Sequence, residues 1–354
     1  MPTRRNLLKA LIASAVSVAM VPYAQGNDRA ANAMQPVMAH KPARLRAGQT
    51  IGLIAPGSNA WEDEEIRFAV DILKSFGFKV KSGQHLMQRS GYLAGGDRER
   101  AADINQMFAD KEVHGIFCLR GGYGSPRLLP YLDYALIKQN PKVLLGYSDV
   151  TALLNAIYAR CDLVTFHGPI AKQNFSDYTL ARFKEVLFNP QAPIDLAMPP
   201  PFAAREGQAE QENRLITVSP GQASGVLIGG NLSLMVKLVG SPYEPDYQGK
   251  LLFLEDVEEA PYRIDGMLTH LTLAGRLDKV AGVVFGKCTD CDATSPPSFS
   301  IEHVLKDRLG SLGVPVLSGV MIGHVEDMAT IPIGVMATLD ASAKRLVLNE
   351  AGVT

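Results

Sequence analysis

The stretch KVLLGYSDVTALLNAI, residues 142–157, decides how this chain folds. Its first part, Lys142 to Leu145, reads as the end of a buried strand. From Val150 the apolar residues recur at helical spacing, with Val150, Leu153, Leu154 and Ile157 on one face. Gly146-Tyr147-Ser148-Asp149 must therefore turn a strand directly into a helix. A serine and an aspartate at that junction have two open uses. Either side chain can cap the helix by accepting from one of its first N–H groups. Alternatively the sharp turn exposes the Ser148 hydroxyl as a nucleophile, and the free N–H groups beside it, that of Asp149 among them, donate to an oxyanion.

The pattern extends outward from there. TIGLIAPGS, Thr50 to Ser58, is an apolar strand that ends in a Pro-Gly turn. Ile66, Val70, Leu73 and Phe76 form a helical stripe that Gly77 ends. Asp97 stands where a helix cap belongs, ahead of Ile104, Met107 and Phe108. Val113 to Arg120 is another strand, and it runs into the glycine-rich RGGYGSPR. This alternation of strand and helix predicts an α/β fold with a parallel sheet. The composition changes at residues 189–222, which are rich in Pro, Gln and Glu and carry little periodicity. They read as a domain boundary and surface segment. Short strands and one helix follow, suited to a second α/β domain.

Three reactive side chains stand just past the carboxyl ends of apolar strands: Ser148, Glu255 after KLLFL, and His324 after VPVLSGVMIG. Ligands bind at strand ends in open α/β sheets, where loops line a crevice. A serine hydroxyl needs a histidine to take its proton, and the histidine needs an acid on its other nitrogen. The order Ser, acid, His occurs among serine hydrolases, although GYSDV lacks the last glycine of G-x-S-x-G. The plain alternatives are a solvated Glu255 and a structural His324. His167, in VTFHGP, is the rival base. Gly121-Gly122 offers a second oxyanion donor, and Arg120 or Arg127 a partner for a substrate carboxylate. RGGYGSPR lacks the spacing of a nucleotide-binding loop.

The chain has 354 residues, 47% of them hydrophobic, and a net charge of −1. That is enough for two modest cores, and the absence of a basic stripe argues against nucleic acid as a partner. Residues 1–33 read as a signal peptide. Arg4, Arg5 and Lys9 precede an apolar run from Leu11 to Val21 that is short for a membrane span, and TRRNLLK resembles the twin-arginine export motif. Export to the periplasm, with no stable membrane insertion after processing, is the expectation; a short membrane anchor is the alternative. An exported chain could oxidise Cys288 and Cys291, while Cys118 reads as a small core residue.

IGLIAPGS, LRGGYGSPRLLPYLD, LLGYSDVTALLNAI, TFHGPI, IGGNLSLMVKLVGSPYEP, LLFLEDVEEAPYRIDGMLTHL and IGHVED together resemble the LD-carboxypeptidases, or muramoyltetrapeptide carboxypeptidases. The likeness runs from about Gly48 to Leu348. It implies a serine peptidase with Ser148, Glu255 and His324 as its triad and the Gly122 and Asp149 amides as oxyanion donors. It implies no cofactor or metal. The fold would be a flavodoxin-like or amidotransferase-like N-terminal domain, residues 44–188, joined across 189–222 to a smaller C-terminal α/β domain, residues 223–350, that carries Glu255 and His324. The substrate would be a murein tetrapeptide losing its terminal D-alanine, and the protein would pair as a homodimer. The rival readings are an LD-endopeptidase on crosslinked murein, a microcin C immunity-type peptidase, and a non-catalytic muropeptide-binding protein. A stacked adenine would want an aromatic platform, and Trp61 is the only tryptophan.

Overall fold

The computed structural model describes residues 39–292 and 296–354. The expected signal peptide at residues 1–33 lies outside them. Two sheets organise the described chain. The first begins with β1 (Thr50–Ile54), helix α1 (Asp63–Ser75), β2 (Lys79–Ser82), α2 (Asp97–Ala109) and β3 (Val113–Cys118). It continues with α3 (Tyr134–Gln139), β4 (Val143–Gly146), α4 (Thr151–Cys161), β5 (Thr165–His167) and α5 (Asp177–Leu187). Strands β1 to β5 pair in parallel, in the order β5-β4-β3-β1-β2. Parallel pairing buries both faces, which is why β4 reads as an unbroken apolar run. Asp97 is the first residue of α2, not its cap. Glu99 reaches back to the Gly96 N–H at 2.8 Å, which leaves the Asp97 carboxylate to pair with Arg100 and Arg127.

The second sheet is mixed. Its elements are β6 (Ile194–Asp195), β7 (Ile216–Ser219), β8 (Gln222–Asn231), α6 (Leu232–Leu238), β9 (Leu251–Val257), α7 (Pro261–Leu273), β10 (Gly282–Thr289), α8 (Ile301–Leu309) and β11 (Val316–Ser318). After β12 (Ile331–Ile333) come β13 (Met336–Asp340) and β14 (Arg345–Leu348), giving the strand order β6-β14-β13-β8-β9-β10-β11-β7. Strands β8, β9, β10 and β11 run parallel at its centre. Three helices serve this sheet, where the sequence pattern suggested one. The short α6 lies inside an apolar run with no polar face to mark its period, and α7 opens on Pro261, which suits a first helical turn. The Pro-rich stretch 189–222 contributes β6 and β7, one to each edge of this sheet. β12, though it lies between β11 and β13 in the chain, belongs to the first sheet, where it pairs antiparallel with β5 at the edge.

Helix α4, which follows Ser148, joins the two sheets. Its Asn155 Nδ2 donates to Gly229 O at 2.8 Å, and its Thr151 Oγ1 accepts from Asn231 N at 3.0 Å. Gly230 makes this approach feasible: a Cβ there would sit 2.6 Å from Thr151 Oγ1. The helix after the serine is thereby fixed to β8, and β8 pairs directly with β9, the strand of Glu255.

Candidate active site

Strand β4 delivers the chain to Tyr147, which is extended, and Ser148 then turns at φ 64°. A left-handed serine is uncommon and costs about 1 kcal/mol relative to an ordinary conformation. Neither the short 3-10 turn at Ser148–Val150 nor α4 has a side-chain cap. The capping role open to Ser148 and Asp149 is therefore not the one they fill. The buried Asp149 carboxylate instead accepts from Ser125 N at 2.7 Å, and the Ser125 hydroxyl donates to the Asp149 carbonyl. Burial pushes this carboxyl above its usual range, and the Ser125 and Gly124 N–H groups work against that. Asp149 thus ties the glycine-rich loop to the serine turn.

That loop passes very close to the serine. A Cβ on Gly121 would lie 2.8 Å from Ser148 Cβ and 3.1 Å from its Oγ. The loop after β1 interlocks with it: Ser58 N donates to Gly121 O at 3.0 Å, and Tyr123 N donates to Ser58 Oγ at 3.0 Å. Gly122 is exposed at φ 88°, and among the described residues its amide and that of Asp149 have no acceptor. Arg120 is half-buried, with Nη1 donating to Asn59 O at 3.1 Å.

Glu255 lies at the end of β9 and is fully buried. Its Oε2 is 2.9 Å from His324 Nδ1, so the carboxylate is not the solvated turn residue of the plain alternative. Burial raises the Glu255 carboxyl, and the hydrogen bond from His324 lowers it. Gly323 permits the close fit: its φ is 119°, and a Cβ there would be 2.8 Å from Glu255 Oε2. The His324 ring, 19% exposed, packs edge-on against Tyr147 with centroids 4.8 Å apart. The imidazole thus stands beside the residue that precedes Ser148. The structure has no hydrogen bond between Ser148 Oγ and that ring.

His167, the rival base, is fully buried, and among the described residues neither ring nitrogen has a hydrogen-bond partner. Burial pushes its pKa down to about 3, with nearby His324 adding to the effect. It is neutral and faces Tyr147 and Phe253, with centroids at 6.0 and 5.4 Å. Arg127 is taken by Asp97 through a two-pronged pair, which leaves Arg120 as the candidate cation of the two.

Several contributors were not legible as site residues. Tyr147 carries a ring that the strand-to-helix reading passed over, although its place beside Ser148 was a signal. Exposed Tyr92 and Tyr123 stand edge to face at 5.5 Å, and Tyr123 directly follows Gly122. Residues 92 and 123 meet only through the interlocked loops, so nothing local pairs them. Trp61 is 78% exposed. Among the described residues no cluster of three metal-binding side chains occurs, and no helix is long and apolar enough to cross a membrane.

Residues 51–168 match the LD-carboxypeptidase N-terminal domain, and residues 224–339 match the LD-carboxypeptidase C-terminal domain. A probable murein peptide carboxypeptidase of Bacillus subtilis is 38% identical, over 89% of this chain and 96% of its own. The microcin C7 self-immunity protein of Escherichia coli is 32% identical, over 87% of this chain and 95% of its own. Among solved structures, a microcin C7 self-immunity protein in its apo state superposes with a TM-score of 0.81 at 29% identity, covering 89% of this chain and all of that one. Muramoyltetrapeptide carboxypeptidase from Oxalobacter formigenes superposes at 0.73 and 29% identity, covering 86% of this chain and 99% of that one.

Proposed function

Because the chain belongs to the LD-carboxypeptidase family, we propose that it is a serine peptidase that hydrolyses the L–D bond before the terminal D-alanine of murein tetrapeptides. The observation that carries this reading is the hydrogen bond between buried Glu255 and His324, whose imidazole packs on the residue preceding a left-handed Ser148.

The chemistry follows from these positions. Glu255 holds the Nδ1–H tautomer of His324 and leaves Nε2 free to accept. Nε2 takes the proton of Ser148 as Oγ bonds to the scissile carbonyl carbon. The oxyanion receives the Gly122 and Asp149 N–H groups. When the C–N bond breaks, Nε2 returns the proton to the amine of departing D-alanine. Water, deprotonated by the same nitrogen, then attacks the acyl carbon, and as the bond to Oγ breaks Nε2 returns that proton to Ser148 Oγ and the shortened peptide departs as its carboxylate. Arg120 receives the substrate's terminal carboxylate. In an uncomplexed chain the serine–histidine contact is commonly longer than in a complex. No step requires a metal or cofactor.

The chain acts in the periplasm on this reading, with residues 1–33 as its export signal and cell-wall peptides as its substrates. Its working form is a homodimer.

Mass spectrometry of a tetrapeptide muropeptide before and after incubation tests the reading. Loss of one alanine mass supports it. Cleavage of crosslinked dimers alone would make the protein an endopeptidase. A second reading, hydrolysis of an aminoacyl nucleotide, has support in the exposed Tyr92–Tyr123 pair beside the glycine loop and in the immunity-protein likeness. Release of the amino acid from an aminoacyl sulfamoyl adenosine, with no D-alanine from muropeptide, would favour it.

A further inference from the structure

His324 lies in a segment, residues 319–330, with no helix or strand of its own. Its ring is fixed by Glu255, and its backbone is held from the far end of β10. Lys287 N donates to Ile322 O at 2.9 Å, and Thr289 Oγ1 donates to His324 O at 2.8 Å. Past an irregularity between Phe285 and Cys288, β10 resumes pairing with β9 through Cys288↔Asp256 and Thr289↔Val257. Thr289 O in turn accepts from Glu258 N at 2.9 Å. Thr289 therefore connects the strand that carries Glu255 with the loop that carries His324.

Thr289 is also enclosed by a covalent ring. Cys288 and Cys291 are disulfide-bonded, with Cα atoms 5.5 Å apart. Between them Asp290 is left-handed, at φ 54°. Cys288 is partly exposed and Cys291 is buried. A crosslink across so few residues removes little entropy from the unfolded chain. Its larger local effect is to restrict the backbone at Thr289 and Asp290.

We propose that Thr289 is a positioning residue for His324, and that the Cys288–Cys291 disulfide holds it in place, so that the state of the crosslink sets how well the imidazole is presented to Ser148. The inference rests on the triad reading above. Reduction by a dithiol proceeds in two exchanges. A reductant thiolate attacks the accessible Cys288 sulfur, the Sγ–Sγ bond breaks, and Cys291 leaves as a thiolate that takes up a proton. The second reductant thiol then attacks the mixed disulfide, frees the Cys288 thiolate, which is also protonated, and leaves as a cyclic disulfide. The protein gains two electrons and two protons, and the loop around Thr289 loses its ring.

The test combines two readouts on the full chain: the His324 Cε1–H resonance, and the steady-state release of D-alanine. Dithiothreitol should shift the resonance and lower kcat about three- to tenfold, with KM little changed. Cys288→Ser/Cys291→Ser should match the reduced wild type and ignore the reagent. Thr289→Val should lower kcat similarly whether or not reductant is present, and Thr289→Ser, which keeps the hydroxyl, should restore it. A resonance that moves neither on reduction nor in Thr289→Val overturns the inference, whatever the enzyme's activity. So does a kcat in Thr289→Val equal to wild type. A shifting resonance in a protein that releases no D-alanine overturns the proposed activity instead and leaves the positioning of the ring established.

Discussion

Ser148 and His324 are held in different ways. Ser148 sits between a four-residue buried strand and an eleven-residue helix, and it opens the short turn that links them in a left-handed conformation. His324 sits in irregular chain and is placed by partners far away in sequence: Glu255, 69 residues earlier, and Thr289, 35 residues earlier. The serine's conformation is thus set largely within its own segment, and Ser125 ties Asp149, the next residue, to the neighbouring glycine-rich loop. The histidine's position depends on β9, β10 and the loop before β12 coming together. A group held by distant contacts is the more exposed to partial loss of order, since each contact depends on the rest of the fold.

Substitutions test this contrast. The largest effect is expected from Ser148→Ala, with kcat reduced by about 10⁴-fold or more and an unchanged unfolding midpoint, because alanine keeps the Cβ at the same φ. D-alanine release at the wild-type rate would remove Ser148 from the mechanism. Replacing that serine with glycine should relieve the left-handed turn and raise the midpoint slightly above that of the alanine variant, measured by thermal denaturation.

Glu255→Gln should cost about 10²- to 10⁴-fold in kcat, less than Ser148→Ala. Glutamine keeps an acceptor for the imidazole N–H but no longer stabilises its charge. A loss as large as that of Ser148→Ala would mean that the acid does more than orient the ring. Arg120→Ala should act chiefly on binding, raising KM about tenfold with a smaller fall in kcat, if the guanidinium meets the substrate carboxylate. Steady-state kinetics on a tetrapeptide separates the two.

The smallest catalytic effect is expected from His167→Leu, with kcat within about threefold of wild type and the same pH–rate profile. Its stability should change in a specific pH window. Folded His167 titrates near 3, whereas its ordinary value is 6.5. Between those values the unfolded state binds a proton that the folded state does not, so stability falls as pH drops, by at most about 1.4 kcal/mol per pH unit. His167→Leu should lose this part of the acid sensitivity, as urea unfolding at pH 7 and pH 5 would show. A pH–rate profile that moves with this substitution would return His167 to the list of bases.

Much of the first sheet was legible because parallel strands buried on both faces leave unbroken apolar runs, and the helices between them leave stripes. The second sheet was harder to read. Residues 189–222 have the composition of a surface segment, yet β6 and β7 form within them, because pairing with β14 and β11 supplies backbone partners that local sequence does not announce. The sharp turn at Ser148 was visible in the junction at 146–149. That Asp149 serves the Ser125 loop rather than a helix end was not, since the two residues are 24 apart.

The alternation of elements, the strand-to-helix turn at Ser148 and the placing of Glu255 and His324 beyond apolar stretches are all written in the order of residues, because periodicity and turn chemistry act over a few residues. Which histidine meets the acid depends on the assembled fold. His167 and His324 both follow apolar stretches, and burial without a partner keeps one neutral while a carboxylate 2.9 Å away orients the other. Desolvation and hydrogen bonding are properties of the assembled neighbourhood, and no local pattern contains them.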